Sequence, residues 1–370
     1  MALPTDDQIF TIYSLGKTTS FLSIIGSVWV ICMVLRNSKK REMAYHRAML
    51  ALSTTDFIFS VAWFVMGSPA PESGGCTAVA FFILLTSTPQ AMYNASICVY
   101  YLLVIGYSWS EEQVHRLQPL MIIFPVLWGL LTAILFSSMG MINPFEYYGF
   151  CCWIQPYPTG CSGSECTPYH EHVYTGMTFG LVEIPKWISF LGALISMGII
   201  YYTVAKNERE HNDTTGKATF GMLWFVQAED GQDSSGRIRS RRLARQACWY
   251  LVNFFLTYVF LTANAIIIAF GGSPPFALLC CINIFRPWQG FWNAIIYVSI
   301  STTILICALS LIWILTLYYW PLLHTDPPSL LSQQGEISRY VILAALDYIW
   351  WAGPSPWCES YAFNCGRARV

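Results

Sequence analysis

Seven apolar runs of roughly bilayer length, joined by loops whose Lys and Arg alternate in side, leave this chain little choice of architecture. A helix needs about 20 mostly apolar residues to cross the hydrocarbon core. The runs are Thr18–Leu35, Ala48–Gly67, Cys76–Ile105, Pro119–Met139, Met177–Ala205, Ala244–Phe270 and Phe276–Val298. One set of loops holds Arg36, Lys39, Lys40, Arg41, Arg47, Arg116, Lys206, Arg209, Lys217, Arg237, Arg239, Arg241, Arg242 and Arg245. The opposite set, with the N-terminus, holds only Lys17. Short basic loops stay in the cytoplasm during insertion. An all-α membrane protein is therefore expected: a seven-transmembrane helix bundle with its N-terminus outside.

Composition agrees with that reading. Hydrophobic residues make up 55% of the chain and charged residues 11%, against about a quarter charged in soluble proteins. Net charge is −1, so no long-range attraction to nucleic acid is implied. Met1–Phe10 carries Asp6 and Asp7 where a signal peptide needs a basic start followed by an apolar stretch. The first span is expected to serve as an uncleaved signal.

The organisation expected is an outer N-terminus at 1–17, a bundle at 18–298, an extra apolar segment at 299–322 and a tail at 323–370. Ser299–Trp320 reads as an eighth span or a helix lying along the inner leaflet. The outer stretch Gly140–Gly176 is long, aromatic and cysteine-bearing, and the inner loop Lys206–Leu243 is polar, with a flexible composition over Glu229–Gly236. No repeated half-chain pattern is visible, which weakens a transporter built on inverted repeats.

Ionisable groups inside a bilayer are costly and by default mark function. Four occur here: Asp56, Glu183, Lys186 and Arg286. Asp56 lies mid-way along the second span, where Ser53 and Thr55 are available to solvate a carboxylate; it reads as an ion-binding or switch residue, against a protonated structural Asp. Glu183 and Lys186 are three apart and share a helical face, so they can neutralise each other. That makes a structural pair and a ligand contact equally good readings. Arg286 stays charged at mid-membrane depth and needs a carboxylate or water, with Asp56 and Glu183 as candidate partners. Pro287 follows it and breaks the hydrogen-bond ladder, a kink able to act as a hinge.

Of thirteen cysteines, Cys76, Cys151, Cys152, Cys161 and Cys166 fall in outer, oxidising loops. A bond from Cys76 to the Cys151-Cys152 pair would close a loop of about 75 residues, worth roughly 4 kcal/mol in the chain-entropy picture. Cys161 and Cys166 are candidates for a small secondary loop. His170 and His172 flank Glu171, a weak metal motif more simply read as a solvated loop. Walker-type, HExxH and GxSxG signatures are absent, so no enzyme, metal or cofactor is expected. The seventh span has no lysine for a retinal Schiff base.

Pro287-Trp-Gln-Gly-Phe-Trp-Asn293-Ala-Ile-Ile-Tyr297 resembles the seventh-span pattern of cyclic-AMP-receptor-like G-protein-coupled receptors from protists. Tyr100-Tyr-Leu-Leu-Val-Ile105, Cys152-Trp-Ile, Ile184-Pro-Lys-Trp187, Gln246-Ala-Cys-Trp-Tyr250 and Phe254-Phe-Leu-Thr257 are similar to further motifs of that family, in order, across residues 18–298. The resemblance implies a receptor at the plasma membrane that takes a small extracellular ligand outside and a heterotrimeric G protein inside. It also singles out Cys152 as the partner of Cys76. On this reading Glu183, Lys186 and Arg286 face ligand, and Asp56, Pro287, Asn293 and Tyr297 form the conformational switch. Arg116, Arg237, Arg241 and Arg242 meet the G protein.

Three positions depart from the pattern. Gly106 stands where the family carries a basic residue, Arg286 where an apolar one is expected, and Ser299–Trp320 where a basic amphipathic helix should follow. Two alternatives remain. One is a transporter or channel that uses Asp56, Glu183 and Arg286 as a charge relay. The other is a receptor-like protein without G-protein coupling.

Overall fold

The computed structural model describes residues 5–68, 73–145, 151–154, 176–215, 235–270 and 272–298. The expectations for Cys161, Cys166, His170, Glu171, His172, Ser299–Trp320 and the tail lie outside the described residues.

Helix α1 spans Asp6–Leu35 and so begins well before Thr18. Thr5 and Gln8 form a capping box, each side chain bonding the other's backbone N–H, and Asp6 and Asp7 sit at the positive end of the helix dipole. The outer N-terminus expected at 1–17 is therefore largely the first turns of α1. A short helix, α2 (Ser38–Glu42), is capped by Asn37 and leads into α3 (Ala44–Val65). Helix α4 (Gly74–Tyr101) runs on into a π-helical turn, Leu102–Gly106. Ser110 and Gln113 form a second capping box that starts α5 (Glu111–Ser138).

The outer stretch after α5 contains structure that a helical reading omitted. Strands β1 (Ile142–Phe145) and β2 (Cys151–Ile154) pair antiparallel, with Ile142 opposite Ile154 and Phe145 opposite Cys151. A disulfide joins Cys152 of β2 to Cys76 in the first turn of α4. Both sulfurs' residues are buried with Ala80, Phe136 and Ile154, so the two strands are tethered onto that end of the bundle.

A π-helical turn, Phe179–Glu183, precedes α6 (Ile184–Thr215), and α7 covers Ser235–Ala269. The inner loop expected over Lys206–Leu243 is thus helical at both ends. Once a packed span has nucleated a helix, each further residue adds a hydrogen bond at little cost, and Arg, Leu and Ala are good formers. Arg237, Arg241 and Arg242 accordingly belong to the first turns of α7 rather than to a loop; their side chains lie outside the described residues. The seventh run divides into α8 (Phe276–Phe285) and α9 (Gln289–Val298), separated by Arg286–Trp288 at Pro287.

Six of the described helices are long and apolar enough to cross a membrane, with α8 as a shorter apolar one; α8 and α9 together complete a seventh crossing. Helix α1 packs on α3, α3 on α4, and α4 on α5, α6 and α7, while α8 and α9 return to α1. The core includes Val34, Leu52, Ile97, Tyr101, Ile200 and Phe254. Leu120, Leu127, Leu131 and Ile134 lie exposed on α5, as lipid-facing residues must.

Proline within a helix frees the carbonyl four residues earlier, and in lipid that oxygen must find another partner. Three neighbours supply one or shield it. The Thr19 hydroxyl reaches the Asn283 carbonyl freed by Pro287 at 2.9 Å, sharing its proton with the Leu15 carbonyl of its own helix, also at 2.9 Å. Trp128 Nε1 donates to the Leu181 carbonyl freed by Pro185, at 3.0 Å. The Leu85 carbonyl freed by Pro89 lies against Gly129, so close that a Cβ there would stand 2.2 Å from it. Small residues also bring α1 onto α9. A Cβ on Gly290 would meet Ser27 Oγ at 2.2 Å, and one on Gly26 would meet Phe291 Cα at 2.8 Å.

Candidate functional site: a buried polar core

The sequence-derived polar residues gather into two adjoining networks. Asp56 on α3 is fully buried. One carboxylate oxygen accepts from Gln90 Nε2 of α4 at 2.8 Å, the other from Asn293 Nδ2 of α9 at 2.7 Å. Asn293 in turn accepts at Oδ1 from Asn253 Nδ2 of α7, at 3.0 Å. Four helices are joined through one carboxylate. Ser53 and Thr55 do not contribute. The Thr55 hydroxyl bonds carbonyls of its own helix, and Ser53 Oγ has no hydrogen-bond partner among the described residues.

Arg286 corrects a second expectation. It is 1% exposed, yet neither Asp56 nor Glu183 forms an ion pair with it. Its Nη1 donates to Tyr258 OH at 3.2 Å and Gln289 Oε1 at 3.4 Å, and its Nη2 to Ser87 Oγ at 3.0 Å. The guanidinium lies over the rings of Phe59, at 4.3 Å, and Tyr258, at 4.8 Å. A planar, weakly hydrated cation is suited to such a site, because aromatic faces and neutral oxygens spread its charge. Both carboxylates are meanwhile engaged elsewhere. Asp56 holds two amides, and Glu183 pairs with Lys186 at 2.9 Å, the neutralisation expected from their spacing.

The break at Arg286–Trp288 is seated by α1 and α3. Ser23 Oγ accepts from Gly290 N at 3.1 Å and from Ser60 Oγ at 2.8 Å. These contacts give the Pro287 kink defined partners on each side.

At the opposite end from the disulfide, Tyr297 OH lies 2.9 Å from His46 Nδ1 and the Lys40 ammonium stands over the Tyr297 ring at 5.6 Å. Gln246 Nε2 donates to Tyr45 OH at 2.9 Å, and Tyr45 OH lies 3.2 Å from Tyr250 OH. Tyr100 OH donates to Glu111 at 2.6 Å, and Glu111 also accepts from Ala44 N. Gly106 closes the π-helical turn with no side chain to offer. Arg116 is exposed on α5.

Gln90, Asn253, Ser87 and Tyr258 were missed by a reading that ranked only charged groups. The signal was present: Gln90 and Asn253 are polar residues inside apolar runs, where an unsatisfied amide is also costly.

These observations define a multi-pass membrane protein with a bundled helical fold. No family model matches the sequence, and no curated protein matches it. Among solved structures, the crystal structure of squid rhodopsin matches at a TM-score of 0.61 and 17% identity, covering 85% of this chain and 84% of that one. The fold is the rhodopsin-like seven-helix bundle.

Proposed function

We propose that this protein is a seven-helix receptor of the plasma membrane that passes an extracellular small-molecule signal to a heterotrimeric G protein. The observation that carries this reading is the Gln90–Asp56–Asn293–Asn253 chain of hydrogen bonds. It ties α3, α4, α7 and α9 together at the buried centre, beside a proline break in the seventh crossing. Such a network has discrete arrangements, and a ligand that fits one better moves the population toward it. Coupling of about 1–3 kcal/mol between sites suffices to change occupancy of the inner face.

In this mechanism Glu183 and Lys186 sense ligand from the outer side, and Arg286, buried among Tyr258, Gln289 and Ser87, carries the rearrangement with Asp56, Pro287, Asn293 and Tyr297. Arg116, Arg237, Arg241 and Arg242 are presented to the G protein. The kinship to cyclic-AMP-receptor-like proteins is part of the proposal and rests on the sequence strings alone. Ligand-stimulated nucleotide exchange on G proteins, measured with the full chain in lipid nanodiscs against a small-molecule panel, tests it. Exchange that no ligand and no G-protein class alters would sink it.

A second reading is favoured by one residue. Gly106 leaves the end of α4 without a basic side chain, so a receptor-like protein lacking G-protein output fits the same fold. Gly106→Arg separates the two: exchange that appears only in the variant selects the second reading.

A further inference from the structure

The corner between α1 and α3 carries a charge cluster that the receptor reading does not use. Arg36, Lys39, Lys40, Arg41 and Arg47 occur within the stretch 36–47, directly after the first crossing. Arg36, Lys39 and Arg41 are exposed, and none forms an ion pair with any described carboxylate, although Glu42 is adjacent. The corner is also held in shape. Asn37 accepts from Lys40 N at 3.3 Å, and Arg47 donates to the carbonyls of Arg41, at 2.6 Å, and Glu42, at 3.4 Å. Arg47 is fixed in turn by Gln118 of α5, at 3.3 Å.

We propose that this corner binds the polyphosphorylated headgroup of an inositol lipid in the inner leaflet. Four to eight basic residues just past a spanning helix are enough to recruit anionic lipid. Here Arg36 caps α1 and Lys39, Lys40 and Arg41 follow on α2, a corner held by the Asn37 cap and the Arg47 bonds, so four positive charges fall within six residues at one end of the first crossing. That density matches several phosphates on one ring better than the single net charge of phosphatidylserine. The site adjoins the inner end of the seventh crossing, since Lys40 also covers Tyr297. The inference uses only the inner placement of this end of the bundle, and neither an agonist nor a G protein is needed to test it.

The experiment places the full wild-type chain in phosphatidylcholine nanodiscs with a photoreactive bisphosphorylated phosphatidylinositol and maps the labelled peptides. Labelling should concentrate on residues 36–47. It should be competed by unlabelled phosphoinositide, and not by phosphatidylserine at matched charge or by a soluble inositol polyphosphate. The triple variant R36Q/K39Q/R41Q should lose on the order of a hundredfold in apparent affinity, at roughly fivefold per basic residue. K206Q, an exposed charge of the same loop set outside the stretch 36–47, should retain it. Labelling spread over the inner surface, equal competition by phosphatidylserine, or equal loss in K206Q would reduce the site to bulk surface charge and overturn the proposal. Competition by the soluble inositol phosphate as strong as by lipid would assign the corner to a soluble ligand and overturn it equally. Wild-type labelling decides the question even where the triple variant fails to insert.

Discussion

The hydroxyl of Thr19 on α1 reaches the carbonyl of Asn283 on α8 across 2.9 Å, sharing its proton with the Leu15 carbonyl of α1. Asn283 is the residue whose helical donor Pro287 abolishes. The kink in the seventh crossing therefore has its orphaned oxygen satisfied by a neighbour, and the bend is held by α1 as well as by proline.

Thr19→Val keeps the shape and removes the donor. A buried acceptor left unpaired costs about 1–3 kcal/mol, so the variant should melt earlier in detergent micelles, whereas Thr19→Ser should restore most of the loss. Equal melting of the Val and Ser variants would show that the bond contributes nothing.

Gly129 faces the Leu85 carbonyl beside Pro89 with no room for a methyl group, whereas a Cβ on Gly192 of α6 meets nothing within 4 Å. Overpacking against backbone costs about 1–3 kcal/mol. Gly129→Ala should lower thermal stability and yield of monodisperse protein, and Gly192→Ala should leave both intact or improve them through helix propensity. Parallel scanning of the two by size-exclusion chromatography after heating gives the answer.

Arg286 is held by its plane and by its fork, between Phe59 and Tyr258 and onto Ser87. Arg286→Lys keeps the charge and loses both features, leaving a strongly hydrated ammonium in a buried site. Arg286→Met removes the charge and keeps the volume. Replacing a buried charge by an apolar side chain is often neutral, and leaving one badly solvated is not. The Met variant should therefore be the more stable of the two, as judged by the fraction surviving a heat step. A more stable Lys variant would mean that charge alone matters at this position.

Asp56 accepts from two amides at once. Asp56→Asn presents one donor and one acceptor, so either Gln90 or Asn293 must turn over, and a flip of Asn293 reverses its bond to Asn253. A loss of about 1–3 kcal/mol follows from one buried mismatch. On the receptor reading the variant should also change basal nucleotide exchange, since the linkage across four helices is altered. Unchanged melting together with unchanged exchange would remove Asp56 from both roles.

Much of this architecture is legible in the sequence. Apolar run length located the seven crossings, because lipid allows few backbone solutions. The Glu183–Lys186 pair followed from helical spacing, and Pro287 from the chemistry of its missing N–H. Helix ends were less legible. Asp6–Thr18 and Ser235–Leu243 look polar, yet capping and propagation make them helical. The pairing of Ile142–Phe145 with Cys151–Ile154 was less legible, because strands of four residues carry too little alternation to stand out along the chain.

What could be read along the chain was every property that depends on local sequence: hydrophobic length, charge sidedness, helical spacing and the positions of proline. What required the folded bundle was the choice of partners. Arg286 turned to Tyr258, Gln289 and Ser87 instead of a carboxylate, Asp56 to Gln90 and Asn293, and Thr19 to Asn283, residues 264 apart in sequence. The physical reason is that a buried polar atom in lipid takes whichever donor or acceptor packing brings within about 3 Å, and that distance is a property of helix contacts that no single helix contains.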